Sequence, residues 1–393
     1  MTLEHEPVRS SMLPYGQQSI DEEDIQAVVE VLRGDFITQG PSIAKFEQQI
    51  ANRTGASYAV AFTNGTAALH GACYAAEIGP GDEVITSPIT FLASANCVRY
   101  QGGIPVFADI DEATYNINPD KIKEKISPKT KAIIPVDFSG QPVEIEKIMK
   151  IAAQHGLVVI EDAAHSLGAS YKGKPIGSWA DMTMFSFHPV KHITTGEGGI
   201  IVTNNEIYYK RLLLFRNHGM TKDPEDLMYN EGPWYYEMHD LGYNYRMTDM
   251  QAALGSSQLH KLDSFVEARR KIACIYNEAF AEIEGLVIPY QADDSASSWH
   301  LYVIQWKPEY FTVDRKVLFE AMRDEGIGVH VHYIPVYKQP YYQSLGYDMD
   351  KCPVAERYYA TAMTLPLYPK MTDQDVYDVI SAVKKVVLKY RKS

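Results

Sequence analysis

Seven short apolar stretches, separated by helix-like segments, occupy the chain between residue 57 and about residue 205: Tyr58–Phe62, Glu83–Thr86, Ile104–Ala108, Ala132–Val136, Leu157–Glu161, Met182–Phe187 and Ile200–Thr203. Each is too short for a buried helix and is bounded by turn-forming residues, so each reads as a strand covered on both faces. Strands that alternate with helices predict an α/β fold with a mostly parallel, seven-stranded central sheet. In such sheets ligands collect beyond the carboxyl ends of the strands.

Outside this region the pattern changes. Ser19-Ile20-Asp21-Glu22 has the form of a capping box and predicts a helix running to about Leu32, followed by turns at Gly34 and Gly40-Pro41. Residues 215–247 are aromatic and irregular, with Trp234-Tyr235-Tyr236 and Gly242-Tyr243-Asn244-Tyr245-Arg246, and are expected to reach a partner subunit. A helical pattern then runs from Thr248 to about Ile283. Beyond 285 a strand at Leu301–Trp306 mixes with helices near Arg315–Glu325 and Asp373–Tyr390. The chain therefore divides into a large domain, 1–284, and a smaller α+β domain, 285–393.

Two strand ends carry the chemistry. Lys191 lies between the Met182–Phe187 strand and the flexible turn made by Gly196, Gly198 and Gly199, where a Schiff-base lysine is expected. The neighbouring strand ends in Asp162. An amine and a carboxylate so placed suit pyridoxal 5′-phosphate (PLP): the lysine attaches the cofactor and the aspartate keeps its ring nitrogen protonated. Thr63-Asn64-Gly65-Thr66 follows the first strand and opens a helix, so the amides of Gly65 and Thr66, with the Ser186 hydroxyl, form a phosphate cradle. Phe91 follows the second strand and is placed to stack on a ring, although an isolated phenylalanine is ordinarily core. His165, three positions past Asp162, is placed for the ring hydroxyl.

Composition narrows the alternatives. A net charge of −13 with no long basic run argues against a nucleic-acid partner. Cys73, Cys97, Cys274 and Cys352 have no metal-ligand spacing, and no metal is expected. No stretch approaches the roughly 18 apolar residues of a membrane span, and Met1 to Gln18 lack a signal-peptide core, so a cytoplasmic protein is expected. A nicotinamide site would require Gly-x-Gly-x-x-Gly after the first strand, which Thr63–Leu69 does not supply. A desulfurase would need a cysteine on a mobile catalytic loop, and none is evident.

The same residues align with a known family. Thr38-Gln39-Gly40-Pro41, Asn64–Leu69, Gly79–Ile85, Pro105–Ile110, Glu161-Asp162-Ala163-Ala164-His165, Ser186–Lys191 with Gly196–Gly199, and Gly242–Met247 resemble the DegT/DnrJ/StrS-type sugar aminotransferases over almost the whole chain. The resemblance implies the fold type I architecture of aspartate aminotransferase and PLP as cofactor. It implies Lys191 and Asp162 as catalytic residues, and Gly65, Thr66, Phe91, His165 and Ser186 as cofactor contacts. Asn244 would be donated from the other subunit of a homodimer. Members with histidine in place of the lysine are dehydratases, so Lys191 implies transamination.

Within the family, Phe185–Thr195, Val136–Gly140, Arg216–Met220 and Glu231–Glu237 are similar to the branch that serves pseudaminic acid biosynthesis. That similarity implies glutamate as donor and UDP-2-acetamido-2,6-dideoxy-β-L-arabino-hex-4-ulose as acceptor, with Arg246, His300, His332, Tyr333 and Tyr337 as candidate contacts. The Trp234–Tyr236 region is also similar to enzymes of spore-coat polysaccharide synthesis, which keeps other UDP- or dTDP-keto sugars open. A regulator that retains the fold without turnover is the remaining alternative.

Overall fold

The computed structural model describes residues 6–347 and 352–392. All seven expected strands are present: β1 (Tyr58–Phe62), β2 (Glu83–Thr86), β3 (Ile104–Phe107), β4 (Thr130–Ile134) and β5 (Val158–Asp162) come first. A two-residue pair, β6 (Ser170–Tyr171) and β7 (Lys174–Pro175), precedes β8 (Met182–Ser186) and β9 (Gly199–Thr203). The central sheet has the order β1-β9-β8-β5-β4-β2-β3. Four of its pairings are parallel, and β9 alone runs against both of its neighbours. This is the mostly parallel, seven-stranded sheet that the sequence predicts.

Burial explains why these segments form strands. Val60, Ile85, Ile133, Ile160, Phe185 and Ile201 are fully buried, with one apolar cluster on each face of the sheet. Helices cover both faces, so the strands show no polar alternation. The reversal at β9 has a positional effect. It returns the chain so that β1 runs parallel to β8, and the segments after β1, β2, β5 and β8 all open at one end of the sheet.

A third core lies beyond the sheet, around the antiparallel strands Leu286–Val287, Tyr302–Trp306 and Ala362–Leu365 and the helices Arg315–Asp324 and Asp373–Tyr390. Leu13 and the apolar stripe Ile272, Tyr276 and Phe280 also join this core. Residues from both sides of the expected 284/285 boundary therefore pack together.

Two local expectations are corrected. The first helix, Glu22–Arg33, is capped by Asp21 with Asp24 as its reciprocal partner, two residues later than the Ser19 pattern suggested. The pattern after Thr248 is two helices, Asp249–Leu259 and Leu262–Phe280. The chain turns between them at Lys261, whose amine reaches Asp21 at 2.6 Å and the fully buried Asp24 at 2.7 Å. Further on, Val329–Tyr333 pairs among the described residues through one bridge, His330 to Thr364.

Candidate active site

The four loops at the open end of the sheet enclose a cavity of about 710 Å³. Gly65, Thr66, Phe91, Asp162, His165, Ser186 and Lys191 all line it, as do His332 and Tyr333. The sequence separates these residues by up to 268 positions; the common end of the sheet brings them together.

The cradle begins at Asn64, whose side chain caps the Gly65–Ala75 helix by accepting from the amide of Ala67 at 2.8 Å. A helix start leaves its first amides without intrahelical partners and concentrates positive potential there. Close approach makes this possible. A Cβ on Gly199 would stand 2.6 Å from Asn64 carbonyl carbon and from the Gly65 nitrogen, and one on Gly65 would stand 3.2 Å from the Ser186 Cβ. Glycine at 199 therefore lets the first turn of the helix press against β8 and β9.

Asp162 is 5% exposed at the end of β5. Burial pushes its carboxyl above the ordinary range, while Ser94 Oγ, donating at 2.6 Å, the Ala164 amide at 3.2 Å and the charge of Lys191 all favour the ionised form. Lys191 is half-buried. Desolvation pushes its ammonium down to about 8, against the pull of Asp162 and with a further downward push from Arg269. An amine at that value is partly neutral near physiological pH, which suits proton transfer.

Imidazoles fill the far wall. His165 packs against His300 with ring centroids 4.3 Å apart and planes tilted by 40°, accepts from the Ser139 amide and meets the Tyr333 hydroxyl at 3.3 Å. His300 Nε2 lies 3.5 Å from Lys191 Nζ. Burial, followed by the charge of Lys191, pushes both rings well below the ordinary histidine range, so they are neutral.

The substrate candidates separate. His300, His332 and Tyr333 surround the cavity or its lysine. Tyr337 does not: it is 1% exposed, packs edge-on to Phe107 and donates its hydroxyl to Glu356 at 2.8 Å, because its segment turns away into the core. Asn244 is exposed, and Arg246 donates to Asn217 at 2.6 Å; neither lines the cavity. Phe91, expected by default to be core, is 59% exposed at the rim.

Sequence reasoning missed Ser94, Arg269, Tyr15 and His330. Ser94 lies one helical turn past Phe91 and was detectable by that spacing. Arg269 interrupts the buried stripe Leu262, Val266, Ile272, Tyr276, a position at which a charge is anomalous. Tyr15 and His330, ring centroids 5.2 Å apart at the cavity wall, come from distant segments and left no local signal.

An amine, a carboxylate and a helix start around one cavity fit PLP. Residues 18–384 match the profile of the DegT/DnrJ/EryC1/StrS aminotransferase family. The chain belongs to this family. A curated relative, the spore coat polysaccharide biosynthesis protein SpsC of Bacillus subtilis, is 45% identical over 381 residues, covering 96% of this chain and 98% of SpsC. Among solved structures, Helicobacter pylori PseC, an aminotransferase of pseudaminic acid biosynthesis, superposes with a TM-score of 0.89 at 32% identity, covering 96% of this chain and all of PseC. Spr1654 from Streptococcus pneumoniae, in its PMP form, gives 0.91 at 32% identity, with 96% and 99% covered, and is also known in a PLP form. As a DegT-family member the protein is a PLP-dependent sugar aminotransferase, which removes the fold-keeping regulator as an alternative. Among the described residues no helix is long and apolar enough to cross a membrane, and no cluster of ligands could hold a metal ion.

Proposed function

We propose that the protein moves an amino group from glutamate to the C4 ketone of a nucleotide-linked 4-keto-6-deoxy sugar, with UDP-2-acetamido-2,6-dideoxy-β-L-arabino-hex-4-ulose as acceptor. The observation that carries this reading is the pairing of Lys191 and Asp162 across one cavity whose wall continues to Tyr15 and His330, leaving volume for a sugar beside the cofactor. Similarity to PseC supports the acceptor. The 45% identity to SpsC supports a second reading, in which the sugar belongs to a spore-coat or other surface polysaccharide.

Bound in this cavity, the cofactor supplies an electron sink. Lys191 would hold it covalently, and its free Nζ would carry a proton at the reacting substrate carbon. Asp162 keeps the ring nitrogen charged, and Ser94 keeps Asp162 ionised. The amides of Gly65 and Thr66 and the hydroxyl of Ser186 take the phosphate, Phe91 covers a ring face, and His165 meets the ring hydroxyl. Asn244 and Arg246 serve the facing subunit of a homodimer, which accounts for their absence from their own cavity. His332 and Tyr333 contact the acceptor.

The test is amination of a panel of UDP- and dTDP-4-keto-6-deoxy sugars with glutamate, followed by mass spectrometry. Formation of the UDP-linked 4-amino sugar is expected. Conversion of the cofactor by glutamate with no amination of any panel member would refute the acceptor class.

A further inference from the structure

Behind Lys191 lies a charge with no counter-charge. Arg269 is 1% exposed, forms no ion pair among the described residues, and spends one guanidinium nitrogen on three carbonyls: Leu367 at 2.8 Å, His300 at 3.1 Å and Trp299 at 3.3 Å. Its Nε has no hydrogen-bond partner. A buried guanidinium stays protonated and is costly to keep unpaired. Two of these carbonyls, those of Trp299 and His300, belong to a constrained turn. Trp299 takes a left-handed backbone at φ 50°, and Gly140, at φ 98°, passes so close that a Cβ there would stand 2.8 Å from the nitrogens of Trp299 and His300. Ser298 adds a hydrogen bond to the His165 carbonyl at 3.0 Å, and its own carbonyl meets His192 Nε2 at 3.1 Å. The turn presents His300 Nε2 to Lys191 Nζ, while His300 Nδ1 is buried with no partner.

We propose that Arg269 and His300 form a positioning pair for the reacting lysine: Arg269 clamps the 299–300 turn and places its positive charge behind the site, and His300 presents a neutral nitrogen that accepts from the lysine ammonium. The two residues pull the amine in opposite directions. The Arg269 charge disfavours the ammonium, and the His300 acceptor stabilises it. Among the described residues Asp162 is the carboxylate acting on Lys191. His165, His192 and His332 face it as neutral rings, with His188 on its own segment. This proposal rests on Lys191 being the reacting amine.

The test uses enzyme loaded with pyridoxamine phosphate, in which Lys191 is free. The pH dependence of Lys191 acetylation by acetic anhydride, read by peptide mass spectrometry, gives its pKa. Arg269→Met is expected to raise that pKa by about one unit, His300→Phe to lower it by about as much, and Arg269→Lys to restore the parent value. Unchanged values in folded variants, or shifts of both in one direction, would overturn the proposal. If Arg269→Met fails to fold, His300→Phe decides, since an unchanged pKa there overturns it equally. Borohydride reduction of the PLP form followed by peptide mapping checks the premise separately, because a label on another lysine refutes Lys191 itself.

Discussion

Ser94 Oγ donates to Asp162 Oδ2 at 2.6 Å inside a fully buried contact, so a helix after β2 sets the charge on a carboxylate at the end of β5. Removing that donor leaves burial as the dominant influence, and the carboxyl of Asp162 rises further. Ser94→Ala is therefore expected to slow the half-reaction with glutamate about tenfold at neutral pH, with less slowing as pH increases. Single-turnover rates between pH 6 and 9 check this, and a pH-independent deficit would argue against it.

Lys191→Ala removes the group that carries the proton. Turnover should fall by about 10²–10⁴-fold or more, while pyridoxamine phosphate still binds through the cradle. Amino-sugar formation and equilibrium dialysis separate the two effects.

Gly199→Ala places a methyl group 2.6 Å from backbone atoms of Asn64 and Gly65. Backbone cannot move aside as a side chain can, so the cost is about 1–3 kcal/mol of stability. Cofactor affinity should fall with it. Denaturant unfolding of the cofactor-free protein, paired with a PLP titration, tests both.

Phe91→Ala should divide these two properties. At 59% exposure the ring contributes little to the fold, so stability should stay within about 0.5 kcal/mol. PLP binding should weaken about five- to tenfold through loss of a stacking face. A large stability loss would place Phe91 in the core after all.

If Asn244 serves the facing subunit, two inactive variants can repair each other. Mixing Lys191→Ala with Asn244→Ala subunits under exchange conditions should restore activity, because one site of each mixed dimer has both residues. Sedimentation of the mixture confirms that dimers form, and no recovery in proven mixed dimers would place Asn244 outside the partner's site.

Local chemistry determined what could be read ahead of the structure. The seven strands were legible because burial on both faces leaves continuous apolar runs such as Val158–Ile160 and Ile200–Val202. That Lys191, Asp162 and Gly65 meet at one end of the sheet was legible because each stands at or within five residues of the end of such a run. Tyr337 was misjudged because a histidine- and tyrosine-rich segment gives no sign of which side chains turn inward. The break at Lys261 was invisible because it depends on Asp21 and Asp24, more than 200 positions earlier. Arg269 was overlooked because its partners are carbonyl groups, which every residue has and no motif records.

The reversed strand β9 also ties the sheet's outermost strand to residues far along the chain. Among the described residues β1 pairs in the sheet with β9 alone, and Asn64–Gly65 is backed by Gly199, 134 positions further on. Shortening the chain anywhere before that glycine would therefore strip one wall from the turn that opens the first sheet helix.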